Sequence, residues 1–147
     1  MLRMKTVSLD MFFDRRKVTD AADKATRAVL SKAGAFIRTT ARHGIRRRKG
    51  TSPPGSPPYS HTGLLKRFLF FGYDRGRKTV VVGPMRLNQK IGNAPEALEY
   101  GGTSEVMEGL RRRRRRRRVR IKARPYMGPA LRKELPKFPS LWANSVR

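Results

Sequence analysis

The sequence predicts an α+β fold in which one long N-terminal helix packs on a small antiparallel sheet. Two observations support this prediction. Apolar residues recur at helical spacing between Val18 and Ala41, and two apolar runs joined by a turn follow between Gly63 and Gly83. Since the predicted strands do not alternate regularly with helices, an antiparallel sheet is favoured over a parallel one. Residues 1–147 are expected to form a single domain, because this length suffices for one modest core.

The predicted first helix runs from Val18 to Gly44, a residue suited to ending it. Two acid-to-base pairs four residues apart, Asp20–Lys24 and Asp23–Arg27, favour the helical conformation. The inward face is rich in alanine, so a sheet can approach the helix backbone closely. The inward residues are Val18, Ala22, Ala25, Val29, Ala33, Phe36, Ile37 and Ala41.

A proline-rich loop over residues 50–62 follows the basic patch Arg46–Lys49. Its four prolines exclude a helix or a central strand, and the sequence leaves open whether it is a flexible arm or a stiff strap. Beyond it, Phe68–Phe71 and Thr79–Val82 predict a β-hairpin with a turn at Asp74–Gly76. The run Phe68–Phe71 is apolar on both faces, which predicts a strand covered on both sides.

Further elements are predicted toward the C-terminus. A short helix over Ala94–Tyr100 ends at Gly101–Gly102, because glycine readily adopts the left-handed conformation that closes helices. Residues 103–118 are predicted to form a basic loop insertion. The strict alternation of apolar and basic residues over Val119–Arg124 predicts a half-exposed strand. Pro129 then begins a C-terminal helix, which later prolines break.

Charge is the dominant property of the chain, because 36 lysines and arginines stand against 10 acidic residues and give a net charge of +26. This balance favours contact with nucleic acid, anionic membranes or acidic proteins. Membrane binding is the weakest of these, since no apolar stripe flanks the basic residues. The absence of cysteine excludes disulfides and thiolate metal sites. No apolar stretch approaches the ~18 residues needed to span a bilayer, and Met1–Phe13 lacks the apolar core of an export signal, so a non-exported protein is expected.

The most distinctive feature is an unbroken run of eight arginines that ends the predicted basic loop. Because adjacent guanidinium groups repel one another, such a density of charge favours a polyanion or an acidic protein surface nearby. We favour DNA over an acidic neighbouring protein, and both over a merely solvated loop; no element suited to reading base sequence is recognisable. The residues predicted to make this contact are Arg111, Arg112, Arg113, Arg114, Arg115, Arg116, Arg117, Arg118 and Arg120.

Three short motifs lie at residues 56–65, 97–102 and 124–131. In this order, and with the long first helix, they resemble the tail-completion proteins found at the neck of long-tailed bacteriophages. The resemblance covers most of the chain, from the first helix to Leu131 and beyond, and it departs from the family at 103–118, where a short polar link is usual. The residues that carry the resemblance are Pro57, Pro58, Gly63, Leu64, Glu99, Tyr100, Gly101, Gly102, Arg124, Pro125, Tyr126, Met127, Pro129 and Ala130.

The resemblance implies a non-catalytic virion subunit that assembles in the host cytoplasm into a ring, usually a hexamer, at the head–tail junction. The implied partners are head-connector, adaptor or stopper proteins on one side and tail terminator or tail tube proteins on the other. Genomic DNA in the channel of the ring is then the expected partner of the arginines. The alternative is a general nucleic-acid-binding protein of ribosomal or packaging type, which the composition alone also fits.

The residues themselves give little support for an enzyme. There is no recognisable nucleophile elbow or triad, and His43 and His61 have no second histidine or carboxylate at metal-binding spacing. We therefore expect no cofactor, no metal, no small-molecule substrate and no membrane partner. A basic nuclease is the enzymatic alternative, because carboxylates that bind a metal need not be close in sequence. Glu99 is expected to pair with Arg124 and so tie the short helix to the last strand.

Overall fold

The structure is a computed structural model that describes residues 14–85, 94–108, 115–143 and 145. The long first helix is confirmed as α1, Arg15–Gly44, which begins slightly earlier than predicted. The side chain of Asp14 accepts the backbone N–H of Lys17 at 3.1 Å and so caps the start of this helix. At the other end, the N–H of Ile45 donates to the carbonyl of Ala41 at 3.2 Å.

The predicted hairpin is also confirmed. A single helical turn, α2, Leu64–Arg67, leads into strand β1, Leu69–Asp74, and strand β2, Thr79–Pro84, returns beside it. The two strands pair antiparallel, with Phe71 opposite Val82. They form a two-stranded sheet by themselves within the described residues.

One face of the β1–β2 hairpin packs closely on α1. At Gly34, within the helix, an added Cβ would lie 2.7 Å from Val80 Cγ2 and 3.0 Å from Phe71 Cδ2, so only glycine permits this approach. At the turn of the hairpin, Lys78 Nζ lies 2.5 Å from Asp23 Oδ1 of the same helix, an exposed ion pair that adds little to stability.

Of the residues predicted to face inward, Ala25, Val29, Ala33, Ile37 and Ala41 are buried, and the small ones permit the close approach that the sequence predicts. The prediction is wrong for Val18, Ala22 and Phe36, which are exposed.

The expectation that Phe68–Phe71 is covered on both sides is wrong. Leu69 is 0% exposed, but Phe70 is 45% exposed and Val81, on the neighbouring strand, is 66% exposed. The reason is that α1 covers one face of a two-stranded sheet, whereas no element among the described residues buries these two side chains on the other. An apolar run in sequence does not tell how many layers a sheet has.

The second half of the described chain contains another hairpin. Helix α3, Ala94–Tyr100, ends as predicted at glycine, with Gly101 at a φ of 80°. Strand β3, Gly102–Glu108, follows at once, and strand β4, Arg115–Ile121, pairs with it antiparallel. The register runs from Gly102 opposite Ile121 to Glu108 opposite Arg115.

The expectation of a loop over residues 103–118 is therefore wrong for 103–108 and 115–118, which lie in paired strands. Repulsion between adjacent arginines does not prevent strand formation, because successive side chains of a strand point to opposite faces. The side chains of Arg115–Arg118, half of the arginine run, are thus divided between the two faces of the hairpin. Residues 109–114, which include Arg111, Arg112, Arg113 and Arg114, lie outside the described residues.

The C-terminal part folds back onto α1. Helix α4, Met127–Glu134, has Pro129 in its first turn, and a 3₁₀ turn, Leu135–Lys137, separates it from α5, Phe138–Trp142. Pro136 lies in the turn that interrupts the helix, as predicted. Pro139 instead lies in the first turn of α5, where a proline is tolerated. The main core cluster joins α1, β1 and α4 and consists of Ile37, Ala41, Ile45, Leu69, Tyr126 and Ala130.

A buried carboxylate fixes α4 to α1. Glu134 is 3% exposed, and its side chain accepts a hydrogen bond from Thr40 Oγ1 at 2.6 Å and another from Lys137 Nζ at 2.7 Å. These partners replace the water that the charge loses on burial. Among the described residues, no helix combines the length and apolarity that a membrane span requires.

Candidate polyanion-binding hairpin

Glu99, near the end of α3, caps the start of α4. Its Oε2 accepts the backbone N–H groups of Tyr126 and Met127 at 2.8 and 3.0 Å. Its Oε1 accepts the N–H of Gly128 at 2.7 Å. The first amides of a helix have no partner within the helix, and the helix dipole favours negative charge there. One carboxylate thus satisfies three of these donors and joins the two helices.

The predicted ion pair between Glu99 and Arg124 is not formed. Arg124 donates from Nε to the carbonyl of Ser52 at 2.9 Å and from Nη1 to the carbonyl of Lys122 at 3.2 Å. Its backbone N–H donates to the carbonyl of Leu98 at 2.6 Å. Three backbone amides already bind the Glu99 carboxylate, and the Arg124 guanidinium binds carbonyls of other segments instead. The short helix is tied to the end of the last strand, but through the main chain.

The proline-rich loop is a strap that packs against the same place. The N–H of Gly55 donates to the carbonyl of Ala123 at 2.9 Å. Pro57 lies beside the end of α1, where a Cβ on Gly44 would be 3.6 Å from its Cγ. An open surface pocket of about 120 Å³ at the strap is lined in part by Pro58, Tyr59, Leu98 and Arg124. Segments 52–59, 97–102 and 121–128 therefore meet at one place, which we call the junction.

Glycines in the motifs occupy positions that need them. Gly63 has a φ of 75° immediately before Leu64, which begins α2. At Gly101 the chain passes so close to the junction that an added Cβ would lie 3.3 Å from the backbone nitrogen of Ala123. Gly102 also has a positive φ, of 135°. These glycines shape turns, as their predicted structural role requires.

The aromatic residues of the motifs have opposite surroundings. Tyr126 and Ala130 are buried in the core cluster, with Met127 packed against it. Burial, and secondarily the charge of Glu99, raises the pKa of Tyr126 to about 12, so this phenol stays neutral in the folded protein. Tyr100, in contrast, is 80% exposed. The remaining motif residues are half-buried, namely Pro125 and Pro129.

Strand β4 leaves the junction and presents its arginines to solvent. Arg115–Arg118 and Arg120 are exposed, whereas Val119 and Ile121, nearer the junction, are half-buried. The apolar and basic alternation predicted from the sequence is confirmed in this part of the strand. Ser104, opposite Val119 in the register, is buried, and β3 contacts α3. Among the hairpin residues whose exposure the structure describes, the covered ones therefore lie near the base.

Because side chains alternate along β4, its exposed cations are divided between the two faces of the hairpin. Arg116 and Arg118 share a face with Arg120, because alternate residues of a strand point the same way, and exposed Lys122 continues this line just past the strand. At a rise of ~3.3 Å per residue the line extends over ~20 Å. We call it the cationic row; its members are Arg116, Arg118, Arg120 and Lys122.

The row has one acidic neighbour across the hairpin. Glu105 lies opposite Arg118, and the distance from its Oε1 to Arg118 Nε is 3.6 Å. Both side chains are substantially exposed, so this pair contributes little to stability. The two paired strands carry five arginines against two glutamates, so they keep a net positive charge.

The histidine and acidic side chains of the described residues are scattered and not clustered. Within residues 14–85, 94–108 and 115–143, no group of three histidine or acidic side chains lies close enough to hold a metal ion. His61 is engaged structurally, since its Nε2 lies 2.6 Å from the carbonyl oxygen of Gly50. The predicted contact of Arg111–Arg118 and Arg120 with a polyanion stays a prediction, and Arg111–Arg114 also lie outside the described residues.

Sequence reasoning missed two parts of this surface. Lys122 belongs to the cationic row, and the alternation of Val119–Arg124 was the signal that could have identified it. The basic patch Arg46–Lys49 adjoins the junction, where the guanidinium carbon of Arg48 lies 5.6 Å from the centre of the Tyr59 ring. No sequence pattern reports that proximity, because it depends on how the strap folds.

The junction and the hairpin therefore form one unit, in which backbone hydrogen bonds hold the base of an exposed cationic ribbon. A scan against protein-family models found no match to this chain, and searches of the curated proteins and of the solved structures found none either.

Proposed function

We propose that this chain is a structural virion protein of a tailed bacteriophage, a neck or tail-completion subunit. In this proposal it forms a ring that joins the head connector to the tail, and its arginine hairpin contacts DNA in the channel. The observation that supports it is the junction. The three motifs behind the resemblance are far apart in sequence, yet Leu98 and Glu99 bind the 124–128 segment directly. Pro58 and Tyr59 of the first motif line one pocket together with Leu98 and Arg124.

The proposed mechanism is positional. Copies of the chain meet through head-to-tail contacts that close into a ring, one rim docks on the head connector, and the other receives the tail. The junction fixes the direction in which β4 leaves the subunit. In a closed ring, this direction would be repeated in every copy, so all the cationic hairpins would lie at one radius. The phosphates of a DNA backbone are a suitable partner for positive charges arranged in this way.

A second candidate is a nucleic-acid-binding protein of ribosomal or packaging type that acts without a ring. The cationic row favours it, because Arg116, Arg118 and Arg120 are exposed in the single chain and need no second copy to present them. The two candidates share the chemistry of the hairpin. They differ in whether assembly depends on nucleic acid.

The test is the mass of the purified full-length chain after exhaustive nuclease treatment, measured by size-exclusion chromatography with light scattering. The neck-protein proposal predicts a closed oligomer of defined copy number without nucleic acid, visible as a ring by electron microscopy. A monomer that oligomerises only when DNA or RNA is added back would overturn it and support the second candidate. Repeating the measurement at high salt separates true subunit contacts from residual polyanion bridging.

A further inference from the structure

The basic patch Arg46–Lys49 lies outside the core. All four of its side chains are exposed. Its backbone is nevertheless held in place, because Arg46 forms a bridge with Tyr59 and its carbonyl accepts the N–H of Ser60 at 3.0 Å. Arg48 lies over the ring of Tyr59, with 5.6 Å from the guanidinium carbon to the ring centre. The patch is thus a positioned group of cations.

This patch reaches the base of the arginine hairpin through the strap. Tyr59 lines the same pocket as Leu98 and Arg124. Arg124 is two residues past Lys122, the last member of the cationic row, and donates to the carbonyl of Lys122 at 3.2 Å. The row and the patch therefore both border the junction, although they are about half the chain apart in sequence.

We propose that Arg46–Lys49 and the cationic row form one continuous surface that binds the phosphates of duplex DNA. This inference rests on the proposed function, in which the hairpin contacts DNA, and adds a second binding segment to it. Its contacts are to the backbone, so binding is independent of base sequence. The row supplies one line of phosphate contacts and the patch supplies another at the base of the same hairpin.

The chemistry of the row favours a nucleic acid over an acidic protein. Protein interfaces depend on apolar or aromatic anchors at their centre, but the row is composed entirely of arginine and lysine. The residues opposite the row on β3 are Thr103, Glu105 and Met107, of which only Met107 is apolar. A repeated cation with so little apolar surface beside it suits a repeated phosphate.

The shape of the hairpin favours a duplex. Strands β3 and β4 are a two-stranded antiparallel ribbon without a third strand among the described residues. Such a ribbon fits the major groove of B-DNA, which is ~12 Å wide. Phosphates then flank the ribbon, within reach of long side chains. A single strand offers phosphates but no groove, so the duplex is expected to bind more tightly at equal length.

The experiment compares matched variants that each lose two charges, with binding of a ~20-base-pair duplex followed by fluorescence anisotropy across a salt series. The patch variant is R47S/K49S, which spares the residues that contact Tyr59 and Ser60. The row variant is R116S/R120S, which spares the pair of Arg118 with Glu105. The control, R27S/K32S, removes two exposed cations from α1.

The slope of log K against log salt is expected to fall by about 1.8 in the patch variant and by a similar amount in the row variant, because each phosphate contact contributes ~0.9. The control is expected to change it little, and the combined patch and row variant should show the sum. This inference would be overturned, and the proposed function left intact, if the row variant showed the reduced salt slope while the patch variant had the same slope as the control. If no variant differed from the control, DNA binding by the hairpin would itself fail.

Two further arms define the ligand. A single strand of the same length is expected to bind more weakly than the duplex and to lose less affinity in the patch variant. Equal losses on both ligands would overturn the duplex assignment. Polyglutamate serves as the probe for an acidic protein surface, and tighter binding to it than to DNA at the same salt would overturn the choice of nucleic acid. Unchanged thermal midpoints confirm that each variant is folded before its binding is compared.

Discussion

The two hairpins are similar in length and in antiparallel pairing, but one packs in the core and the other exposes charged side chains. Strands β1 and β2 have six residues each, and β3 and β4 have seven. The first hairpin lies along α1 and contributes Leu69 to the core cluster. The second contacts α3 only near its base and presents arginines along the rest of β4. Backbone pairing alone therefore does not decide which hairpin supports the fold and which projects from it.

The difference lies in where each hairpin obtains its stability. An isolated two-stranded hairpin is marginal in water, so each needs support from elsewhere. For β1–β2 the support is apolar burial against α1, including the close approach at Gly34. For β3–β4 it is polar, because Glu99 and the strap fix the chain at the foot of β4. A hairpin held at its foot leaves its charged length available for a partner.

The largest effect is expected at Leu69, which is fully buried. Leu69→Ala removes apolar contacts and leaves a cavity, so the free energy of unfolding should fall by ~2–5 kcal/mol in chemical denaturation. Val119→Ala, at a half-buried position of β4, is the comparison and should cost clearly less. Equal losses from the two substitutions would break the contrast between a core hairpin and a projecting one.

The next effect is expected at Glu99. The Glu99→Gln substitution removes the negative charge and replaces one carboxylate oxygen with an NH₂ group. The backbone N–H groups that bound this oxygen then lack an acceptor. The free energy of unfolding should fall by about 1–3 kcal/mol. Hydrogen exchange at β4 should accelerate as well, because the foot of the strand is loosened. Glu96→Gln, exposed in the same helix, is the control and should change neither quantity. An unaltered thermal midpoint and exchange pattern in Glu99→Gln would contradict the junction as the support of β4.

A smaller, pH-dependent effect is expected at Glu134. The hydrogen bond from Lys137, and then the one from Thr40, lowers the pKa of this carboxyl below its usual value. A carboxyl with a lowered folded-state pKa stabilises the fold above its usual pKa, and this contribution is lost as the pH falls through the folded-state value. Acidification should therefore destabilise the protein partly through this group.

Thr40→Val tests that contribution, because it removes the hydroxyl donor at nearly constant volume. The unfolding free energy at neutral pH should fall by about 1–2 kcal/mol, and its decrease toward acid pH should become shallower. Thr39→Val, at the exposed neighbouring position, is the matched control. An acid profile unchanged from wild type in Thr40→Val would show that this bond does not perturb the carboxyl.

Periodicity predicted the first hairpin and α1, because the burial of Val29, Ala33 and Ile37 leaves a regular imprint on the sequence. It did not predict that Phe70 is open on its outer side, since coverage depends on how many layers assemble. The arginine strand was missed because charge runs resemble solvated loops, and its pairing partner, β3, carries only a weak alternating pattern.

The candidate site was predicted in part. The exposed arginines of β4 were identified by composition, and Glu99 was singled out as an acid in a basic chain. Its true partners are backbone amides, which are the same chemical group at every residue and so leave no trace in the sequence. The position of Arg46–Lys49 depends on the path of the strap, which is a tertiary property.

The central claim is that the β3–β4 hairpin is a cationic binding element anchored to the fold and is not part of its core. The most direct test replaces Arg115–Arg118 with alternating threonine and serine. Unfolding free energy and duplex affinity are measured on the same protein. The expected result is a stability within ~0.5 kcal/mol of wild type, since the side chains are exposed, together with at least a tenfold loss of affinity at moderate salt. A loss of several kcal/mol with unchanged DNA affinity would contradict the claim.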